Sequence, residues 1–124
     1  MKIQVKHINQ APSDRDGYRV LAERDWPLGI SRDDAKVDSW LRDLAPSEGQ
    51  YAWFSGKPER WVSFESGYFE ELEDKYEQVA QLIKWAMKDT VTILHSTGDS
   101  EHNAAVALKH FLEEHKDRIL QQVA

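Results

Sequence analysis

Apolar and polar positions first alternate at the N-terminus, where Ile3, Val5 and His7 interleave with Lys2, Gln4 and Lys6. A period of two residues is that of a half-buried β-strand. Pro12, Ser13, Asp14, Asp16 and Gly17 form a turn-rich cluster before a second strand over Tyr18 to Glu23. The connection is shorter than a parallel crossover usually takes. It therefore allows either an antiparallel pair or two non-adjacent strands bridged by a loop. The turn Arg24-Asp25-Trp26-Pro27-Leu28-Gly29 ends the second strand, since proline and glycine commit the backbone to a bend there.

The period then changes to that of helices. Ser31 with Asp33 and Asp34 makes an N-terminal cap, and Val37, Trp40, Leu41 and Leu44 follow at helical spacing up to Ala45-Pro46. Ser47 and Gln50 form a capping-box pattern for a short aromatic helix with Tyr51, Trp53 and Phe54, broken at Gly56-Lys57. Pro58 suits the first turn of a third helix, whose stripe is Trp61, Phe64, Tyr68 and Leu72. A fourth spans Asp74 to Lys88, with Tyr76, Val79, Ala80, Ile83 and Met87 as its apolar face. Val91 to Leu94 carries no charge and is nearly all apolar, which predicts a central strand covered on both sides. Asp99 or Ser100 then caps a long helix through Ala104, Val106 or Ala107, Leu108, Phe111 and Leu112, extending on the same pattern to Ile119, Leu120 and Val123. No internal repeat or linker interrupts residues 1–124, so the pattern predicts one domain: a three-layer α/β sandwich with a small, mainly parallel sheet flanked by helices.

Composition narrows the functional classes. A formal charge of −6 at pH 7 disfavours duplex nucleic acid and anionic membranes as partners. No apolar run has the roughly 20 residues of a membrane span, and the first residues have no signal-peptide core. The absence of cysteine excludes disulfides, thiol catalysis and cysteine-ligated metals, with the cytoplasm as the default location. Five tryptophans are many for this length; most are expected to fill the core, with one or two free to line a pocket for a flat ligand.

The chemistry concentrates after the Val91 strand, in His95-Ser96-Thr97-Gly98-Asp99-Ser100-Glu101-His102-Asn103. A loop between a buried strand and a helix N-terminus turns amides toward a polar ligand. Cradles of this kind that work covalently place a nucleophile in the loop and an arginine just after it, and neither a cysteine nor an arginine occurs between His95 and Asn103. Ser96 or Thr97 could act as nucleophile only with His95 or His102 as base. Glu101 and His102, adjacent on a helix, diverge by about 100°, and no histidine spacing in the stretch fits a metal. No metal or other cofactor is expected. Asp99 is more economically a cap than a general base.

The segments DGYRVLAERDWPLGIS, DSWLRDLAPS, WF…PERW…F and VTILHSTGDSEHNAAVAL, spread in this order over Lys6 to Leu112, resemble the YeaO-like proteins of the domain-of-unknown-function 488 family. Asp16, Gly17, Arg19, Arg24, Trp26, Pro27 and Gly29 match its first block and Asp38, Trp40, Ala45, Pro46 and Ser47 its second. Trp53, Pro58, Arg60 and Trp61 match the third, and Asp99, His102 and Asn103 the last. The resemblance implies a small α/β protein and, through N3-methyladenine binding in related members, a pocket for a purine-like ligand. The chain departs from the pattern at Glu23 (usually aspartate), Leu28 (usually arginine), Ser55 (often histidine), His95 (commonly tyrosine) and Gly98 (commonly basic). Losing basic groups at two of these positions favours a neutral, flat ligand over a strongly anionic one.

The expectation is a small-molecule binding protein with its pocket between the Arg24–Gly29 turn and the His95–Asn103 loop. Trp26 or Trp53 would stack on the ligand, Arg24 and Asn103 would bond its edge, and the amides of His95, Ser96, Thr97, Asp99 and His102 would frame it. The rival readings are a hydrolase-like enzyme using that loop and a regulatory partner-binding module; self-association is compatible with each.

Overall fold

The computed structural model describes residues 1–123. Four parallel strands, β1 (Ile3–His7), β2 (Tyr18–Leu21), β3 (Ser39–Trp40) and β4 (Val91–His95), form one sheet in the order β1-β4-β2-β3. The helices are α1 (Arg32–Ala35), α2 (Glu48–Phe54), α3 (Trp61–Glu73), α4 (Tyr76–Lys88) and α5 (Ala104–Gln122). The molecule is an α/β sandwich on a small parallel sheet. β1 and β2 are not adjacent: β4 lies between them and pairs with both, so of the two arrangements left open by the short β1–β2 connection, the bridged one is realised.

Strand pleating sorts the side chains. Residues in register share a face, so Ile3, Val20, Val91 and Ile93 point one way and join a core with Phe111, Leu108, Ile83, Val79 and Tyr68 of the long helices. Leu21 and Leu94 point the other way and pack with Ile8, Ala35, Trp26, Ile30, Val37 and Trp40 from the loops beside α1. Every residue of β4 is buried, as its uncharged sequence predicts. On α4 the apolar face is rotated from the expected one: Met87 is exposed, and Leu82 and Ala86 are buried in its place.

One predicted helix is cut short: α1 starts at the expected Ser31 cap and ends at Ala35. The segment Val37 to Leu44 does not continue α1; it forms β3 and then a single 3-10 turn at Arg42–Leu44. The reason is tertiary. Arg19, buried on β2, donates from Nε and Nη2 to the carbonyl of Ala35 at 3.1 and 2.7 Å, and from Nε to that of Lys36 at 3.2 Å. Those are acceptors a longer helix would need for its next turn. Lys36 turns left-handed, with φ of 49°, and the amides of Asp38 and Leu41 donate to Arg19 and Leu21 of β2 instead.

Arg19 is itself held by Asp16 at 2.6 Å, a pair in which both side chains are almost fully buried. Lys6 and the Ser13 amide each lie 3.0 Å from the same carboxylate oxygen, and Gln4 donates to the other. Burial opposes charge on Asp16, but the hydrogen bonds from Lys6, Ser13 and Arg19 outweigh it and lower its pKa. Between them Gly17 has φ of +62°, and a Cβ there would lie 2.1 Å from the carbonyl oxygen of Thr90, which accepts the Tyr18 amide at 2.8 Å. Only glycine satisfies both conditions.

Candidate functional site

At the C-terminal edge of the sheet the chain leaves β2 and β4 in opposite directions. After β2 it runs over the Leu21–Leu94 face, and after β4 it crosses to the face covered by α5. Neighbouring strands whose continuations diverge leave a crevice between them, the usual ligand position in open parallel sheets. A cavity of about 530 Å³ lies there, lined by Glu23, Arg24, Asp25, Trp26, Pro27, Leu28, Glu48, Tyr51, Ser96 and Thr97. The two segments singled out in the sequence therefore meet in space.

Of the residues predicted to bind, Arg24, Trp26, Ser96 and Thr97 line this cavity. Trp26 is half-buried; its indole N–H donates to the Ile30 carbonyl at 2.7 Å, its edge meets Trp40, and the Arg32 guanidinium lies 5.4 Å from its ring. What it offers the cavity is apolar ring surface. Trp53 is elsewhere, 45% exposed beside Ser47, Gly49, Gln50 and Ser63, with Arg60 over its ring and bonded to its carbonyl.

Asp99, His102 and Asn103 shape the loop from behind. Asp99 does not cap α5; that role belongs to Asn103, whose Oδ1 accepts the Val106 amide at 3.0 Å while its Nδ2 donates to the Asp99 carbonyl at 2.8 Å. Asp99 closes the loop instead: its Oδ1 accepts the amides of Glu101 and His102 at 2.9 and 3.0 Å, and its Oδ2 lies 3.0 Å from His102 Nδ1. The Glu101 amide and the His102 side chain hold this carboxyl below its ordinary pKa. Two amides of the stretch, those of Glu101 and His102, are thus occupied by the chain's own carboxylate. His102 also sets its ring edge-on to Trp61 at 5.3 Å.

His95 is 5% exposed, and its ring meets that of His7, its register partner on β1, edge-on at 5.1 Å. Burial first, and then the facing His7, lower its pKa, so the neutral imidazole is favoured. Its Nδ1 is 3.4 Å from Thr97 Oγ1, but that hydroxyl donates to the Asp99 carbonyl at 3.1 Å. Ser96 turns from both histidines toward Glu23. Thr97 thus meets His95 only at the limit of hydrogen-bond distance, and Ser96 is paired with the Glu23 carboxylate and not with a histidine.

The residues that sequence reasoning passed over are Glu23, Tyr51 and Glu48. Glu23 Oε1 accepts from the Ser96 amide at 3.0 Å and from its hydroxyl at 2.8 Å, with Oε2 2.9 Å from the same hydroxyl. Burial raises the Glu23 pKa against the opposing Ser96 hydrogen bonds. Tyr51 has its phenol pKa raised by burial and then by the Glu23 charge. One signal for Glu23 was available: it directly precedes the turn and departs from the family's usual aspartate. Tyr51 and Glu48 come from α2, which no local pattern ties to the strand ends. Among the described residues, no group of three or more histidine or acidic side chains is disposed to hold a metal.

Residues 2–122 match the family model described as the inactive DUF488-N3 subclade. An uncharacterised protein of Mycobacterium tuberculosis is 35% identical over 111 residues, which cover 90% of this chain and 93% of that protein. The uncharacterised protein YeaO of Escherichia coli is 31% identical over 112 residues, covering 90% of this chain and 97% of YeaO. No solved structure matches the chain. The blocks of the resemblance and the matched length together place this chain in the domain-of-unknown-function 488 family, in its inactive N3 subclade.

Proposed function

We propose that this protein binds a small, flat, polar ligand, purine-like in size, in the cavity between the Glu23–Leu28 turn and Ser96–Thr97, and that it does so without catalysing a reaction. One observation carries the reading. The two turn-rich segments that follow β2 and β4 converge on a cavity of about 530 Å³, within the volume range of small-molecule sites, at the point where the chain diverges from the sheet. Trp26 and Tyr51 supply ring surface, Arg24 supplies donors for the ligand's edge, and Ser96 and Thr97 supply the polar rim. In this reading His95, Asp99, His102 and Asn103 hold that rim in place, and Trp53, which lines a separate hollow, takes no part. Two further points favour binding over turnover: the Thr97 hydroxyl gives its hydrogen to the Asp99 carbonyl and meets His95 only at 3.4 Å, and the matching subclade is described as inactive. The cytoplasm is the location in which such a ligand would be met.

A thermal-shift screen with methylated purines, nucleosides and nucleotides tests this, because a ligand that binds only the folded state stabilises it by about 2.7 kcal/mol at 100 times Kd. For a chain of this size that corresponds to a rise of roughly 8–16 °C in Tm. An unmoved midpoint for every purine at millimolar concentration would remove the purine-like reading.

A further inference from the structure

The cavity is charged in one direction. Its lining carries three carboxylates, Glu23, Asp25 and Glu48, against one guanidinium, Arg24. Among the described residues none of the three carboxylates is in an ion pair. Elsewhere the chain pairs its buried acid: Asp16, on the opposite end of the sheet, has both Arg19 and Lys6. Three of the loop amides are also taken already, by Glu23 at Ser96 and by Asp99 at Glu101 and His102, which leaves an anion fewer donors.

Glu23 is oriented without being used up. A carboxylate has about four lone-pair positions, and a serine hydroxyl has one hydrogen to give. The Ser96 amide and that single hydrogen therefore occupy two positions and leave the others open on a group that borders the cavity. The lining also includes the rings of Trp26 and Tyr51, the kind of side chain to which a flat cation is attracted.

We propose that the cavity selects a flat cation carrying paired N–H donors, an amidinium-type or protonated heterocycle, and that the Glu23 carboxylate, positioned by Ser96, is the selecting group. This rests on the binding reading above and sharpens it, since a neutral purine would leave the unpaired carboxylates unanswered. The partial desolvation of Glu23 in the empty cavity agrees with it: the carboxylate is held where a cationic partner would gain most.

Benzamidine and benzamide have nearly the same shape and differ in charge, which makes them the probes. Titration calorimetry at pH 7.5 should show benzamidine binding at least tenfold more tightly than benzamide, from a charge-assisted hydrogen bond of about 1.5–3 kcal/mol. Glu23→Gln keeps an acceptor for Ser96 and should abolish the preference; Ser96→Ala should reduce it. With the unmodified protein, benzamidine stays cationic while its affinity falls as the pH is lowered into the carboxylate range. Equal affinities, a preference that survives in Glu23→Gln, or no benzamidine binding would overturn the proposal. If purines raise Tm while the two probes bind alike, charge selection fails and the pocket reading stands. If benzamidine binds through Glu23 while no purine binds, the purine-like assignment fails and charge selection stands.

Discussion

Asp16 and Arg19 make a large demand on this fold, because removing Arg19 leaves the buried Asp16 with Lys6 alone as counter-charge and takes the donors from the Ala35 and Lys36 carbonyls. Arg19→Met should therefore cost about 3–5 kcal/mol in urea unfolding. The Asp16→Asn, Arg19→Met double variant should cost clearly less than the sum of the two single changes. Additive losses would mean that the two side chains contribute separately. His95 makes a smaller demand with a pH signature. Its native pKa is depressed from an ordinary 6.5, so as pH falls below that value the unfolded chain takes up a proton before the native one does. Stability then declines toward acid, because the unfolded state binds more protons there. The fall in unfolding free energy between pH 7.5 and 5.5 should be smaller in His95→Gln than in the parent. An identical fall would assign the effect to other groups.

Among the elements, α5 and its cap settle how the loop is built. Asn103→Ala should destabilise the protein by about 1–2 kcal/mol, losing the bond to the Val106 amide. Asn103→Asp keeps that acceptor and should recover much of the loss, short of the donation to the Asp99 carbonyl. Chemical denaturation of both variants checks the ordering. The cap also illustrates what local pattern conveys. Asp99, Ser100 and Asn103 are all good cap residues by type, and spacing alone does not rank them; the choice follows from Asp99 turning back on Glu101 and His102. The long helices were legible because their periods run over many residues, and β4 because its run is uncharged and nearly all apolar. The stretch after α1 was not. Val37, Trp40, Leu41 and Leu44 do keep helical spacing, but the Arg19 guanidinium holds the carbonyls that would propagate the helix, and β2 recruits the amides. A contact between residues 16 positions apart overrode the local pattern.

Over the whole molecule, the family blocks divide by purpose. Asp16, Gly17, Arg19, Asp38 and Asn103 build the scaffold, through the buried ion pair, the close approach at Thr90, the Arg19 amide and the α5 cap. Trp40 binds the Glu23 carbonyl through its indole N–H at 2.6 Å and so fixes the turn that borders the cavity. Half of the candidate site was therefore visible from the strand ends, as Arg24, Trp26, Ser96 and Thr97. Glu23 lies on the same strand end, while Tyr51 and Glu48 arrive from α2 by chain topology. No helix among the described residues is long and apolar enough to cross a membrane.

A second cavity tests this account most sharply. It measures about 480 Å³, lies beside β3 and α4, and is lined by Trp40, Leu41, Arg42, Asp43, Leu44, Gln78, Gln81 and Trp85. Its tryptophans would also suit a flat ligand. The direct measurement is an amide and indole chemical-shift titration of the labelled protein with the tightest-binding purine or with benzamidine. The account predicts saturable shifts at Glu23 to Leu28, Tyr51, Ser96 and Thr97, including the Trp26 indole, with Gln78, Gln81 and the Trp85 indole unmoved. Shifts confined to the Trp40–Trp85 cavity, or none at saturating ligand, would contradict it.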